Sequence, residues 1–422
     1  MITRDFVVAL SEQLNEPAWL RDFRLCALDV FLKLPMPLWR GSASAEFSSI
    51  DFEKLVHTAS AETTNWHIPE GLGLDSLGGT NDANLAYQSV QRQCDQIGVI
   101  CLPFKQALQQ HPELLREYFG TIIPPTSTGD KFVALNSAVW SGGTFIYLPK
   151  GVKMAMPLQI QRKISSGSAG EYQRTLLIVE DGAFVHYVEG CSAPIYTSNA
   201  LHASVVEAVV KKGGRCRYTT IQNWSHNICN VVAKRALVYK DASMEWVDAN
   251  IGSRLTVKHP AIALLETGAR GEIISFAFAG KEQYQDTGAQ IMHCAPRTSS
   301  KITSKAISKS GGRANFRAEC ALEKCAEGSN SRIDCGGLIM DDQSHAEAVP
   351  KILDESHGSQ IEKSLNVEKI NDEQMFYLQS RGLSREDAMM MIASGFLEPL
   401  LKELPMEYAV EIKQMLEVEC MN

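Results

Sequence analysis

The chain lacks the short motifs of most self-contained enzymes. There is no GxxxxGK[ST] phosphate loop, so it is not expected to hydrolyse ATP by itself. GxSxG and HExxH are missing too, and no two histidines stand four apart on one helix, which argues against a nucleophile elbow and a zincin site. No CxxC occurs among the eleven cysteines. A closed zinc or ferredoxin-type site needs four ligands at short spacings and is not written locally, so a metal would have to be held by residues distant in sequence or by a second chain. The cysteines are odd in number and scattered, which fits reduced thiols better than a disulfide framework. Basic charge is also scarce: 41 Lys and Arg stand against 49 Asp and Glu, a net of -8. A protein reading nucleic-acid phosphate normally shows the opposite balance. No run reaches the eighteen apolar residues of a membrane span, and the opening MITRDFVVALSEQLNEPAWL has no basic end followed by an apolar stretch. Neither nucleic acid nor membrane is an expected partner. The expected location is the cytoplasm, or an organelle stroma if a transit peptide has been removed.

What is present is a long chain with three textures. Its 422 residues can bury a large core split over two or three units. Up to about residue 130 the elements are mixed and largely helical. RDFRLCALDVFLKLP puts Phe23, Leu25, Cys26, Leu28 and Phe31 at helical spacing before Pro35, and residues 87–118 repeat that character. HIPEGLGLDSLGGTND between them reads as a loop, and its GLG is no dinucleotide fingerprint. From 131 to 365 the texture is β: TLLIVED, AFVHYVEG, SVVEAVVKK, RCRYTTIQNW, RALVYKD, MEWVDANIG and EIISFAFAG are β-branched or aromatic runs between turn signals. The turns beginning at Asp181, Gly213, Asp241 and Gly268 lie 32, 28 and 27 residues apart, close to one coil of a β-solenoid. A hairpin-built β-sandwich is the competing reading. In a solenoid, inward side chains of successive coils line up, so residues far apart in sequence converge. From 366 to 422 the pattern is helical again. Asn371 and Ser384 are N-cap candidates, Gly382 a stop, and Pro405 the start of a third short helix. Three such helices cannot bury their own apolar faces and need the solenoid or a partner.

Cys335, in SRIDCGGLIM, is the thiol with the most suggestive setting. Residue type alone favours a small packed hydrophobe, while Gly336 and Gly337 would leave room for a ligand or another backbone to approach. Cys191 in VEGCSAP is similar. Cys320 and Cys325 are an odd number of residues apart, would face opposite sides of one strand, and read as structural. Gln222, Trp224, Lys234 and Arg235 either line a passage inside the solenoid or divide into core and solvated surface. Met389, Met390 and Met391 read as helix core with one exposed member.

Several long stretches carry a resemblance. EYFGTIIPPTSTGDKFVALNSAVWSGGTFIYLPKGV, LLIVEDGAFVHYVEGCSAPIYTSNALHASVVEAVVKKGGRCRYTTIQNW and DEQMFYLQSRGLSREDAMMMIASGFLEPLLKELPMEYAVEI resemble the SufB/SufD family of iron-sulfur cluster assembly subunits. The NSAVWSGG and VEGCSAP blocks are closer to the SufB branch, and the likeness runs nearly end to end. It implies a right-handed parallel β-helix between helical ends. It also implies a non-enzymatic scaffold for a transient iron-sulfur cluster, with ATP used only by a SufC-like ATPase partner. The other implied partners are a SufD-like subunit or a second copy of the chain, and a sulfur donor protein. Reduced flavin is implied for the complex, without any residue here to hold it. By resemblance Cys335 is where the nascent cluster is built, Cys191 is where sulfur arrives, and Gln222, Trp224 and Lys234 line its path. The ATPase would dock on residues 371–418, with Phe376, Met391, Phe396, Leu404, Met406 and Tyr408 as contacts.

One departure stands out. Where the family shows a His-Glu pair after a first acidic position, this chain reads IEKSLNVEKI. Glu362 keeps the first position, while Lys363 and Ser364 replace the pair. An ammonium repels iron and a hydroxyl is a weak ligand. Glu362, with His357 or His345, would then serve as co-ligands. The alternative is a SufD-like architectural subunit without a cluster site. A polysaccharide-acting β-helix enzyme is a third reading, opposed by the unpaired cysteines and the lack of a signal sequence.

Overall fold

The computed structural model describes residues 2–37, 94–126, 129–163, 170–192, 200–402 and 406–421. Its centre is a parallel β-solenoid of about seven coils. One sheet holds β1 (Ile100–Pro103), β2 (Gly142–Leu148), β4 (Gly170–Val179), β6 (Ala200–Val210), β8 (Ile228–Val238), the broken pair β10 (Leu255–Lys258) and β11 (Ala261–Leu264), β13 (Tyr284–His293), β15 (Arg313–Leu322) and β17 (His345–Asp354). The facing sheet holds β3 (Leu158–Lys163), β5 (Phe184–Ser192), β7 (Arg215–Trp224), β9 (Ser243–Gly252), β12 (Arg270–Ala279), β14 (Ser299–Ser308), β16 (Asn330–Ile339) and β18 (Gln360–Lys369). From β2 onward the chain alternates between the sheets, with β10 and β11 together serving as one strand, and every named pairing except β1 with β2 is parallel. The hairpin-built sandwich is thereby set aside. The turn signals read from the sequence are the corners: Gly182, Gly213, Asp241 and Gly268 all take left-handed backbone conformations.

Alternation decides what lies inside. Every second residue of each strand faces the lumen, and there Tyr187, Tyr218 and Trp246 stack on successive coils with ring centroids 4.6 and 5.1 Å apart. Such pairs add about 0.5–1.5 kcal/mol each beyond the area they bury. The first coils are covered by α1 (Arg4–Gln13), α2 (Ala18–Lys33), α3 (Phe104–Gln110), α4 (Pro112–Tyr118) and α5 (Lys131–Val139). Two buried ion pairs fix this cover. Arg24 bonds Glu16 at 2.6 Å and donates to the carbonyls of Ala138 and Trp140. Arg174 bonds Glu207 at 3.0 Å, while Glu207 accepts from the backbone N–H groups of Gly120, Ile122 and Ile123. The sequence expected only helices around residues 87–118, whereas ICLP forms β1, because its backbone pairs with β2.

At the other end α6 (Asp372–Ser380), α7 (Arg385–Leu401) and α8 (Met406–Met421) lie on the outer face of the second sheet. They cover Val188, Ile221, Val247, Ile274, Phe276, Ile307 and Leu338 with their own Met375, Leu397, Leu400, Ile412 and Leu416. Asn371 and Ser384 cap α6 and α7 as expected, accepting from the N–H of Glu373 and Asp387. Among the described residues no helix is long and apolar enough to cross a membrane.

Candidate functional site

The register of the second sheet sorts its inward side chains into columns along the solenoid axis. The first is apolar: Tyr187, Tyr218, Trp246, Ile273, Ile302 and Ile333, ending in Lys363. The second is polar: Glu189, Thr220, Asp248, Ser275, Ser304 and Cys335, ending in Leu365. The third begins Cys191, Gln222, Asn250 and continues in the small residues Ala277, Ala306 and Gly337 to Val367. Cys191 and Cys335 therefore face the same lumen in adjacent columns, five coils apart, or about 24 Å at the usual strand spacing. Between them runs a strip of polar and small side chains.

The middle of that strip is a dense buried network. Lys234 Nζ lies 2.6 Å from Asp248 Oδ1 and 2.5 Å from Thr220 Oγ1, and Lys258 Nζ lies 2.7 Å from the same Asp248 oxygen. All three ionic side chains are 1% exposed. Burial would raise the Asp248 carboxyl, but the two ammoniums outweigh it and hold the group below its ordinary range. For Lys258 burial dominates and lowers the ammonium to about 8. Around Asp248 two ammoniums thus meet one carboxylate, while a second buried carboxylate, Glu189, lies one coil beyond Thr220 in the same column and accepts from the Tyr218 hydroxyl at 2.6 Å. Lys258 also reaches Gln222 Oε1 at 3.4 Å and Asn250 Oδ1 at 3.3 Å. Asn230 donates to Gln222 at 2.9 Å, His202 bonds Asn230 at 2.8 Å, and the His202 ring packs on Trp224 with centroids 4.8 Å apart. Trp224 in turn packs against Cys191 and Ile228. The indole N–H of Trp224 and the second oxygen of Asp248 are buried without a hydrogen-bond partner among the described residues. An unused donor and an unused acceptor in one lumen are places for a small polar guest.

The structure thus brings Cys191, Gln222, Trp224 and Lys234 together, all turned inward. Arg235, adjacent to Lys234, faces the other way and donates to the carbonyls of Lys234 and His259. His202, Asn230, Asp248, Asn250 and Lys258 belong to the same network and were missed in the sequence. Their signal was present as polar residues at inward positions of apolar strands, recurring one coil apart, as in Thr220 with Asp248 and Gln222 with Asn250.

Cys335 is 2% exposed. Burial pushes its thiol up to about 12, Asp334 adds to the effect, and Lys305 opposes it. A thiolate here needs a metal or a nearby cation to form. The two glycines differ in role. Gly337 shares the lumen face with Cys335, and a Cβ there would sit 3.2 Å from Ala346 and 3.3 Å from Val367. Gly336 faces outward, where a Cβ would sit 2.8 Å from Lys305 Nζ and 3.2 Å from Phe396, so it makes room for α7 rather than for a ligand. The expected co-ligands are dispersed. Glu362 and Ser364 pair with Arg332 and Asp334 and so lie on the face opposite Cys335, while Lys363 pairs with Ile333 and shares its face. His345 is exposed on β17 in the other sheet, paired with Arg313. His357 sits in the turn between β17 and β18. Among the described residues no three His, Cys, Asp or Glu side chains are grouped to hold a metal ion.

Beyond Cys335 the solenoid ends bare. Leu365 and Val367 on β18 are 40% and 41% exposed, and Val349 and Leu353 on β17 are 44% and 47%. On the C-terminal helices Phe376, Met391 and Met406 are 74%, 53% and 80% exposed. Phe396 is spent inside the fold, its ring 5.2 Å from Lys305 Nζ. Tyr408 falls on α8, and Leu404 lies outside the described residues.

Comparison with known proteins agrees with the whole-chain resemblance. Residues 162–396 match the family model described as SUF system FeS cluster assembly, SufBD core domain, and residues 68–160 match the SufBD protein N-terminal region. The iron-sulfur cluster assembly protein SufB of Bacillus subtilis (strain 168) is 44% identical, with 99% of this chain and 93% of that protein covered. An iron-sulfur cluster assembly SufBD family protein of Staphylococcus aureus (strain USA300) is likewise 44% identical over 99% of this chain and 93% of its own length. With this coverage, and with the solenoid and its helical ends in place, the chain belongs to the SufBD family of iron-sulfur cluster assembly proteins.

Proposed function

We propose that the chain is a scaffold subunit on which a nascent iron-sulfur cluster is built at Cys335, with sulfur received at Cys191 and passed along the lumen. The observation that carries this reading is the strip of polar and small inward side chains joining the two cysteine columns. Sulfide and persulfide carry negative charge near neutral pH. The ammoniums of Lys234 and Lys258, set beside the strip, offer such an anion local partners that lower the cost of bringing it out of water. At Cys335 the soft thiolate suits iron, and iron binding would stabilise the anion that burial disfavours.

Among the described residues Cys335 has no grouped co-ligands, and the bare edge formed by β17 and β18 lies next to it. A SufD-like subunit, or a second copy, seated on that edge would cover Leu365 and Val367 and supply the missing ligands. Phe376, Met391 and Met406 offer an apolar surface for a SufC-like ATPase, whose ATP hydrolysis would drive the assembly. Anaerobic reconstitution with both partners, iron and a sulfur donor should give an iron-sulfur chromophore that Cys335→Ala abolishes and Cys191→Ala slows. An unchanged spectrum in Cys335→Ala would overturn the site.

The second reading is an architectural, SufD-like subunit, favoured by Lys363 and Ser364. It predicts a stable complex whose iron does not depend on Cys335. Iron and sulfide analysis of the purified complex, wild type against Cys335→Ala, separates the two.

A further inference from the structure

Two cysteines outside the lumen meet at a corner of the solenoid. The corner between β13 and β14 has five residues (294–298), and the corner between β15 and β16 has seven (323–329). The flanking strands are in register, with His293 opposite Leu322 and Ser299 opposite Asn330. The two extra residues therefore have no place along the coil and fold over the shorter corner. This brings the Cys325 thiol onto the Cys294 carbonyl, to which it donates at 3.1 Å, and within 3.8 Å of Glu323 Oε2. Glu323 also acts on the Cys294 thiol, helping to raise it above its ordinary range. Cys325 is exposed and Cys294 half-buried. The register, continued one residue past His293 and Leu322, sets Glu323 opposite Cys294, so it is the fold-over of the longer corner, seen in the contact of the Cys325 thiol with the Cys294 carbonyl, that brings Cys325 near Cys294. A disulfide asks for Cα atoms about 4.4–6.8 Å apart.

We infer that Cys294 and Cys325 form a surface thiol pair that hydroperoxides oxidise to an intramolecular disulfide. The exposed sulfur of Cys325 attacks the peroxide oxygen. An S–O bond forms, the O–O bond breaks, and the alcohol or water that leaves takes the thiol proton, giving a sulfenic acid on Cys325. The sulfur of Cys294 then displaces that oxygen. An S–S bond forms, the S–O bond breaks, and water leaves with the Cys294 proton, handed over through Glu323. Two thiols are oxidised and one peroxide is reduced. Burial, with Glu323 adding to it, holds the Cys294 thiol up at about 11, so Cys294 stays protonated until the S–S bond forms, with the Glu323 carboxylate placed to take its proton. A metal is the less suited occupant, because among the described residues no third His, Cys, Asp or Glu completes a set.

Trypsin separates the two thiols cleanly: residues 282–297 contain Cys294 and residues 325–332 contain Cys325, each as the only cysteine. The reduced full-length chain would be treated with hydrogen peroxide, alkylated, digested without reductant and analysed by mass spectrometry. The expected product is the 282–297 peptide linked to the 325–332 peptide, two mass units lighter than the reduced pair. In Cys294→Ser the sulfenic acid on Cys325 should instead persist and be trapped severalfold more by dimedone. Recovery of both wild-type peptides singly alkylated, or of Cys325 joined to some other cysteine, would overturn the proposal. The wild-type digest decides the matter even if the variant folds poorly.

Discussion

Cys191 and Cys335 face one lumen in adjacent columns, yet their surroundings are built differently. Around Cys191 the chain supplies a complete network: Gln222, Trp224, His202, Asn230, Asn250, Lys258, Asp248 and Lys234 lie on neighbouring coils, closed in by both sheets. Around Cys335 it supplies Ser304 on one side and Leu365, at the bare edge, on the other. The difference follows from position along the axis. A residue in a middle coil has neighbours above and below, so most polar groups there find partners within the chain, the Trp224 indole N–H and one Asp248 oxygen excepted among the described residues. One coil from the end Cys335 still has a neighbour on each side, but the coil beyond it is the last of the described solenoid and is half-exposed, which under the proposed function leaves the site to be finished by another molecule.

The strongest way to break the first half of this comparison is Asp248→Ala. It leaves Lys234 and Lys258 buried with no carboxylate between them, and removing one partner from a buried ionic cluster costs about 3–5 kcal/mol. Urea unfolding of the isolated chain should show a loss of that size. A change below about 1 kcal/mol would mean that water already reaches the network.

Lys258 gives a smaller effect with a defined sign. Its folded ammonium titrates at about 8, below the ordinary 10.5, because burial outweighs Asp248. Below pH 8 the folded and unfolded chains both hold the proton, and the fold carries the cost of burying it. Between about pH 8 and 10.5 the unfolded chain binds more protons, so stability should rise with pH by up to about 1.4 kcal/mol per unit. Lys258→Met should lack this rise. Urea midpoints measured from pH 7 to 10 for both proteins check it, and parallel profiles would contradict an enclosed lumen.

Much of this architecture was legible in the sequence, because a repeated corner is a local signal. Gly182, Gly213, Asp241 and Gly268 mark their turns one by one, and their spacing yields the coil. The residue types alone left the direction of Gln222 and Trp224 open, the family resemblance implied that they face inward, and the strand they share turns both into the lumen. The partners of those residues were harder to see. Lys258 belongs to a strand interrupted by Pro260, and Asp248 sits in MEWVDANIG, where nothing local distinguishes a lumen carboxylate from a surface one. Only the register sets Asp248 against Thr220 and opposite Lys234. For the same reason IEKSLNVEKI could be compared with the family pattern residue by residue without revealing which of its side chains share a face with Cys335.

That face assignment gives the last prediction, which bears on the unfinished half. Lys363 pairs with Ile333, two residues before Cys335 on the same face, so it points into the last open row of the lumen. Ser364 pairs with Asp334 and points outward. Lys363→His removes an ammonium that repels iron and puts an imidazole on the side where the thiol lies. Anaerobic iron titration of the reconstituted complex should then show about tenfold tighter binding, equivalent to roughly 1.4 kcal/mol. Ser364→Glu adds a stronger ligand in chemical terms but on the opposite face, and should leave the titration unchanged unless β18 shifts by one residue. Such a shift would turn Leu365 and Val367 outward and Glu362 and Ser364 inward, and an edge strand whose faces differ this little in burial is weakly held in register. Tighter binding in Ser364→Glu but not in Lys363→His would therefore mean that a partner seated on β18 resets its register, and that the row beyond Cys335 is remade on assembly rather than covered as it stands.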